Sequence, residues 1–555
     1  MGQLAPNDEA VPAFEGRNVV GTHKRGLALW AKVLLAVVPL LGAAVAAAWV
    51  MWPRASLSGS PTSLAKFTTS GLPLSVKSLS ATLDGKEVPV KLASGGILPT
   101  AKVPAGSAIT VKIVLNRPSW LRSLGGPTLT VTKTVRTPTV TVLNPIVIGS
   151  SITSYFSSPV KTVRIASGNT LLTKTFSSPS TKFQIFPAGS TPIAGTVEVQ
   201  AASQAWETLP APVAVTYFRD LSAAPVAVLS PGTASLAPTS PLTLTLSERV
   251  SAVFGNSHPV ITPSISGAAP VVGNWIESTP YTLVFTPSAP DFWPGESFSL
   301  KLPAAVQIAS PSGAVGAATR SVVISGSAPS ITRLQQLLAE LNYLPVGFQP
   351  PANQPKTVSG LATTLSTPAA GNFNWRFSAP APLAALWQPG VDTVMTRGAL
   401  MSFEQFNGLD DNGLANPLLW PTLLKDVAAQ KLDPHRYSWI EVSKQLPETL
   451  WLYENGKVVL TSPTNTGIAG LGTQSGTYPI YLRFTENYMS GTNPNGTHYH
   501  DLVHWINYFH GSQAVHGFPR AQYGYPQSLG CVELPIGTAG VIYPQVHLGT
   551  LVTIL

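Results

Sequence analysis

From residue 55 to about residue 325 the chain sets apolar or β-branched side chains at alternate positions and breaks that alternation with Pro, Gly or Ser every ten residues or so. Ile109, Val111, Ile113 and Leu115 form one such row, Thr128, Thr130 and Thr132 a second, and Thr139, Thr141 and Leu143 a third. A period of two turns alternate side chains to one face of a pleated strand, and turn residues at this spacing suit many short strands. The composition agrees: 52 Pro and 46 Gly beside only 11% charged residues leave little material for long solvated helices. At 555 residues the chain exceeds what one core organises, so three to five domains are expected and the fold class is mainly β, multidomain.

The β-patterned region divides into three sandwich modules, about 55–130, 131–221 and 222–325. In the third, Leu229-Ser230-Pro231-Gly232 leads into Leu242-Thr243-Leu244-Thr245-Leu246, then Gly273-Asn274-Trp275, Leu283-Val284-Phe285-Thr286-Pro287 and Trp293-Pro294-Gly295. These phrases resemble a bacterial Ig-like domain, with Trp275 and Phe285 expected in its core; 131–221 is expected to be Ig-like as well. A spacer role is expected, with carbohydrate binding by exposed Trp120, Trp206 or Trp293 as the alternative.

Val33 to Trp52 is twenty residues without a charge, long enough to cross a hydrocarbon core of about 30 Å as a helix. Arg17, Lys24, Arg25 and Lys32 precede it and Arg54 alone follows, so the positive-inside rule predicts a cytoplasmic tail over 1–32, a signal anchor over 33–52 in the cell membrane, and an extracytoplasmic remainder. A cleaved signal peptide is the competing reading. The net charge of +9 is spread thinly, with no basic block, so nucleic acid is not an expected partner.

At Ser330 the period changes. Ile331, Leu334, Leu337, Leu338 and Leu341 fall on one helical face, with Ser330 as its N-cap and Pro345 and Gly347 as its stop. Leu334 to Pro345 resembles the first helix of peptidoglycan-binding modules, and a second half is expected from Thr396 to Gly413, with Trp420 and Leu423 beyond it. A Pro-rich insertion separates the halves within a helical module over 330–430. Asp410-Asp411-Asn412-Gly413 reads as a turn, because the later ligands of an EF-hand loop are missing.

The last domain, 438–555, opens with Trp439-Ile440-Glu441-Val442-Ser443 and a hairpin turning at Asn455-Gly456. It holds the only cysteine, Cys531, in Ser528-Leu529-Gly530-Cys531-Val532-Glu533, fifteen residues after His516-Gly517. A thiol with no disulfide partner and a histidine at this distance fit a nucleophile and its base. His500-Asp501-x-x-His504 offers a rival metal pair at i, i+4, but Asp501 is not the glutamate of a zincin motif and its surroundings do not favour a helix.

The histidine, the Ser-x-Gly-Cys run and the order of the flanking strand phrases resemble the catalytic domain of L,D-transpeptidases with a YkuD-like fold. Leu529 stands where that family has histidine, and Glu533 where asparagine or arginine is common. The resemblance implies Cys531 as nucleophile, His516 as base, and the Gly517 carbonyl as the group orienting the imidazole. It implies backbone donors of the Leu529-Gly530-Cys531 turn as an oxyanion site, and Ser528, Tyr499, Trp505 and Glu533 as substrate contacts. Tyr488 and Tyr508 join Tyr499 and Trp505 in an expected lid or groove over the thiol. The implied substrates are peptidoglycan stem peptides, joined by a 3→3 cross-link, with no cofactor and no metal. L,D-carboxypeptidase activity and a non-catalytic envelope scaffold with a degenerate enzyme are the alternatives.

Overall fold

Alternation becomes sheet faces in the computed structural model, which describes residues 40–555 apart from 44, 169, 187–192, 220–223, 234–235, 266–267 and 311. The strand Ala108–Asn116 buries Ile109, Val111, Ile113 and Leu115 completely and turns its other side chains outward. It pairs antiparallel with Ser75–Leu83 and Thr128–Arg136, and a second four-stranded sheet containing Arg54–Ser58 and Ala65–Ser70 shares its core. Further along, Ile146–Ile148, Val213–Phe218, Ala194–Ala202, Ile152–Ser167 and Thr170–Phe186 form one five-stranded sheet in that order. Seven strands between residues 226 and 325 form the next. Phe285 is buried there, and Trp275 packs half-buried against it with ring centroids 5.1 Å apart.

The assemblies are joined by packed contacts. Glu207–Thr208 pairs with Val103–Pro104, and Trp206 packs into the first core. Ala194 and Phe218 share a small core with Val226 and Val228 across the next boundary. Trp293 is buried in the helical core that follows, where Trp420 Nε1 donates to the Pro294 carbonyl at 3.1 Å. Of the three tryptophans expected at an exposed sugar-binding surface, Trp206 and Trp293 are therefore packing residues, and Trp120 alone is exposed.

Helix α1 (Ile331–Glu340) begins where Ser330 accepts the Arg333 amide, and it buries Leu334, Leu337 and Leu338. The Pro-rich insertion supplies a two-stranded antiparallel pair, Val346–Phe348 with Phe373–Trp375, that packs on this core through Phe348 and Phe373. Helices α2 (Val394–Phe406) and α3 (Leu419–Ala429) complete it. The core continues into the C-terminal segment through Trp439 and Leu551, and Ser402 Oγ donates to the Leu548 carbonyl at 2.9 Å.

The C-terminal segment has two sheets. One contains β1 (Ser438–Ser443), β2 (Thr449–Glu454), β3 (Lys457–Pro463), β4 (Gly476–Pro479) and the last strand, β9 (Leu551–Ile554), in the order β3-β2-β1-β9-β4. Asn455 and Gly456, both at positive φ, close the β2–β3 hairpin. The other sheet runs β5 (Leu482–Thr492), β6 (His498–His510), β7 (Gln513–Gly517), β8 (Val532–Leu534). Helix α4 (Ile536–Ile542) packs between them. Large side chains such as Ile440, Leu450, Val532 and Val552 are fully buried here, each contributing roughly 1.5–3 kcal/mol by leaving water.

The expected membrane anchor over 33–52 requires correction. Residues 40–43 and 45–51 are helical, but no helix among the described residues is long and apolar enough to cross a membrane. The first part of that segment and its basic flank lie outside the described residues. The helical stretch ends against the first sandwich, where the Arg54 guanidinium sits 4.2 Å from the Trp49 ring centroid.

Candidate active site

Strands β7 and β8 are parallel neighbours joined by a long crossover, and their register pairs Val515 with Val532, His516 with Glu533 and Gly517 with Leu534. Alternation puts Cys531, one residue before β8, on the same face as Glu533, and the register brings that face beside His516. Two residues distant in sequence thus share one small area because a parallel pair admits only this phase.

Gly530 has φ +120°, a conformation open to glycine, and turns the chain into Cys531. Ser528 staples this turn: its Oγ donates to the Cys531 carbonyl at 2.6 Å and accepts the Gly530 amide at 3.1 Å. Thr473 Oγ1 donates to the Gly530 carbonyl at 2.9 Å from the opposite loop. The Gly530 amide is therefore engaged, whereas the Leu529 and Cys531 amides meet no acceptor among the described residues. The Cys531 thiol is partly exposed, and its Sγ lies 3.8 Å from the Ser512 carbonyl. Burial among protein atoms pushes the thiol up to about 11; the Ala514 amide opposes this and the Glu533 charge adds to it.

His516 is buried and its Nδ1 has no hydrogen-bond partner of good geometry among the described residues. Burial lowers the imidazole to about 4, against the opposing influence of Glu533 and of the Gly517 backbone, with Arg520 lowering it further. No hydrogen bond joins imidazole and thiol, and burial disfavours the charged form of each. Gly517 has a packing duty: a Cβ there would stand 2.9 Å from Ile536 Cα and 3.1 Å from Ala539 Cβ, so glycine lets α4 seat on β7.

Glu533, expected as a substrate contact, is engaged within the fold. It is buried and bound bidentately by Arg520, with Nε 2.8 Å and Nη2 2.7 Å from its two oxygens. A carboxylate taken out of water needs such a partner. Sequence reasoning missed Arg520, although it is the only Lys or Arg after Arg483 in the sequence.

The β5–β6 hairpin borders the thiol. Burial, and then the proximity of Cys531, raises the phenols of Tyr499 and Tyr508. These residues are nine positions apart, which unbroken alternation would place on opposite faces. A bulge between His504 and Asn507, with Trp505 at φ +57°, corrects the phase. The same bulge sends Trp505 away from the groove: its ring packs on Tyr543, centroids 5.4 Å apart, and against Gly540 of α4. Trp505 is thus a packing residue. Tyr488 lies farther out, stacked on His500 at 4.5 Å. His500 and His504 lie on strand β6 rather than a helix, beside Ser490 and Glu486 respectively.

Residues 437–554 match the family model of YkuD, the L,D-transpeptidase catalytic domain. The chain is multidomain, mainly β, and carries this YkuD-like domain at its C-terminal end. Similar solved structures include several L,D-transpeptidases. LdtMt1 in complex with imipenem is 13% identical, over 59% of this chain and 97% of that one, with a TM-score of 0.20. An L,D-transpeptidase from Mycobacterium smegmatis is 12% identical, over 59% and 96%, TM-score 0.20. The catalytic domain of the E. faecium L,D-transpeptidase is 23% identical, over 22% and 100%, TM-score 0.20. At these identities and scores they are likenesses only, and no curated protein matches the chain.

Proposed function

We propose that the C-terminal domain is a cysteine acyltransferase acting on peptidoglycan stem peptides, an L,D-transpeptidase with Cys531 as nucleophile and His516 as its base. The observation that carries this reading is the turn at Gly530: it presents the thiol beside two unengaged amides, on the strand next to the one holding the imidazole. As Cys531 Sγ attacks the donor carbonyl, its proton passes to His516. The Leu529 and Cys531 amides receive the oxyanion, and neither needs the side chain that Leu529 replaces. Collapse expels the terminal amino acid as its amine, which takes the proton from His516, and leaves a thioester on Cys531. An acceptor amine then displaces the thiol, giving a cross-link; water in its place gives carboxypeptidase action. Tyr499 and Tyr508 line the donor groove. The upstream sheets are read as sandwich modules over 55–130, 131–221 and 222–325, the last two Ig-like, and 330–430 as a helical peptidoglycan-binding-like module.

A strained lactam such as a carbapenem tests this reading by mass spectrometry. A one-to-one adduct that disappears in Cys531→Ala is expected, and His516→Ala should slow its formation by at least about 10²-fold. The thiol raised to about 11 beside an imidazole lowered to about 4, without a hydrogen bond between them, favours a second reading, a degenerate enzyme on an envelope scaffold. No adduct in folded protein would decide for that reading.

A further inference from the structure

We infer that Arg520 and Glu533 form a positioning pair that controls the charge on His516, so that the imidazole can hold the thiol's proton long enough to deliver it to the leaving amine. The inference rests on the proposed acyl-transfer reading for the identity of that amine, but the pair's effect on the thiol stands apart from it.

Three observations converge. Glu533 lies directly beside His516 in the parallel register, on the face it shares with Cys531. Arg520 closes bidentately on its carboxylate, so the buried charge is held in one place instead of drifting toward the thiol. The guanidinium also rests 4.8 Å from the Phe518 ring centroid, and Phe518 meets His516 edge-on at 6.3 Å. His516, Phe518, Arg520 and Glu533 therefore close a circuit behind the thiol. Tyr523 fixes its loop, donating to the Phe518 carbonyl at 2.6 Å while accepting the Arg520 amide at 3.1 Å.

The charges acting on His516 are Glu533 of β8 and Arg520 of the crossover; Tyr523 of the crossover and Asp501 of β6 act in turn on Arg520, Cys531 shares the face of Glu533, and His504 of β6 stands opposite Gly517 in register. The Glu533 charge favours a protonated imidazole and disfavours a thiolate, whereas Arg520 acts against the protonated ring. Removing the carboxylate charge while leaving Arg520 thus has opposite consequences for the two partners. The thiol ionises more easily, and the imidazolium that must protonate the departing amine becomes scarcer.

The test measures two rates on the full chain across pH 6 to 10: alkylation of Cys531 by iodoacetamide, which reads thiolate alone, and acylation by a carbapenem, which also needs a proton delivered to the lactam nitrogen. Glu533→Gln should shift the alkylation profile to lower pH and slow acylation by at least tenfold. Should that variant fail to fold, the doubly apolar Arg520→Met/Glu533→Leu carries the test, because replacing both partners of a buried ion pair leaves no orphaned charge. It should still shift the alkylation profile to lower pH, because the carboxylate charge that opposes the thiolate is gone, and slow acylation by less than Glu533→Gln does, because the opposing influence of Arg520 on the ring leaves with it. A pair that is merely structural moves both rates together or neither, and either result in the folded variant overturns the inference. If the unsubstituted protein is alkylated but never acylated, the transpeptidase reading falls; the alkylation shift in Glu533→Gln then decides the electrostatic role by itself.

Discussion

Two buried carboxylates, Glu533 in the catalytic domain and Glu404 in the helical module, have been given opposite surroundings. Glu533 is held by a bidentate guanidinium. Glu404 is fully buried on α2, accepts only the Gly413 amide at 2.8 Å, and leaves Oε1 without a partner among the described residues. Burial, with Asp411 and Asp410 nearby, pushes Glu404 up to about 7. One buried acid is matched by a counterion, while burial pushes the other toward its protonated form. The arginine, and not burial alone, sets Glu533 apart from Glu404.

The largest expected effect breaks the favoured side of this comparison. Arg520→Met leaves Glu533 buried and uncompensated, which should destabilise the C-terminal domain by about 3–5 kcal/mol at pH 8. Urea unfolding followed on that domain measures it, and a loss below about 1 kcal/mol would mean that water already reaches the carboxylate and that the two acids are not so different.

Glu404→Gln should move stability the other way. The folded carboxyl titrates at about 7, above the ordinary 4.5 of the unfolded chain, so the folded state binds the extra proton and loses stability as pH rises through that window. The amide has no such loss. The variant should gain about 1–3 kcal/mol at pH 8 and almost nothing at pH 4. A gain independent of pH would point to altered packing around Gly413 instead.

The contrast between these acids also marks how far the chain could be read without coordinates. Ser330 as a cap, the Ile109 to Leu115 row, the Asn455-Gly456 turn and the neighbourhood of Cys531 and His516 were all legible, because each follows from local chemistry or from a motif with fixed spacing. Arg520 was not, since it lies thirteen positions before Glu533 in the crossover and only the fold brings the two together. Trp505 was misassigned to the groove because a bulge shifts strand phase, and a bulge leaves little mark in an alternating sequence. The junctions between assemblies were invisible for the same reason: Trp293 and Trp420 reveal their shared core only when packed.

The smallest effect extends the comparison from acids to bases. His547 lies where α2 meets the catalytic domain, between Phe406 at 5.2 Å and His435 at 5.4 Å between ring centroids. Burial, followed by the charges of His435 and Arg483, lowers it to about 3 from the ordinary 6.5. The unfolded chain therefore takes up a proton that the folded chain refuses, and stability is lost as pH falls below about 6.5. Because His547 makes no side-chain hydrogen bond among the described residues, phenylalanine can fill its place in the aromatic stack. His547→Phe should abolish about 1 kcal/mol of the destabilisation seen between pH 7.5 and 5.5, leaving the pH 7.5 value nearly unchanged. Equal losses at both pH values would show that the histidine ring is held by packing that phenylalanine cannot reproduce, and that its neutrality is incidental to the junction.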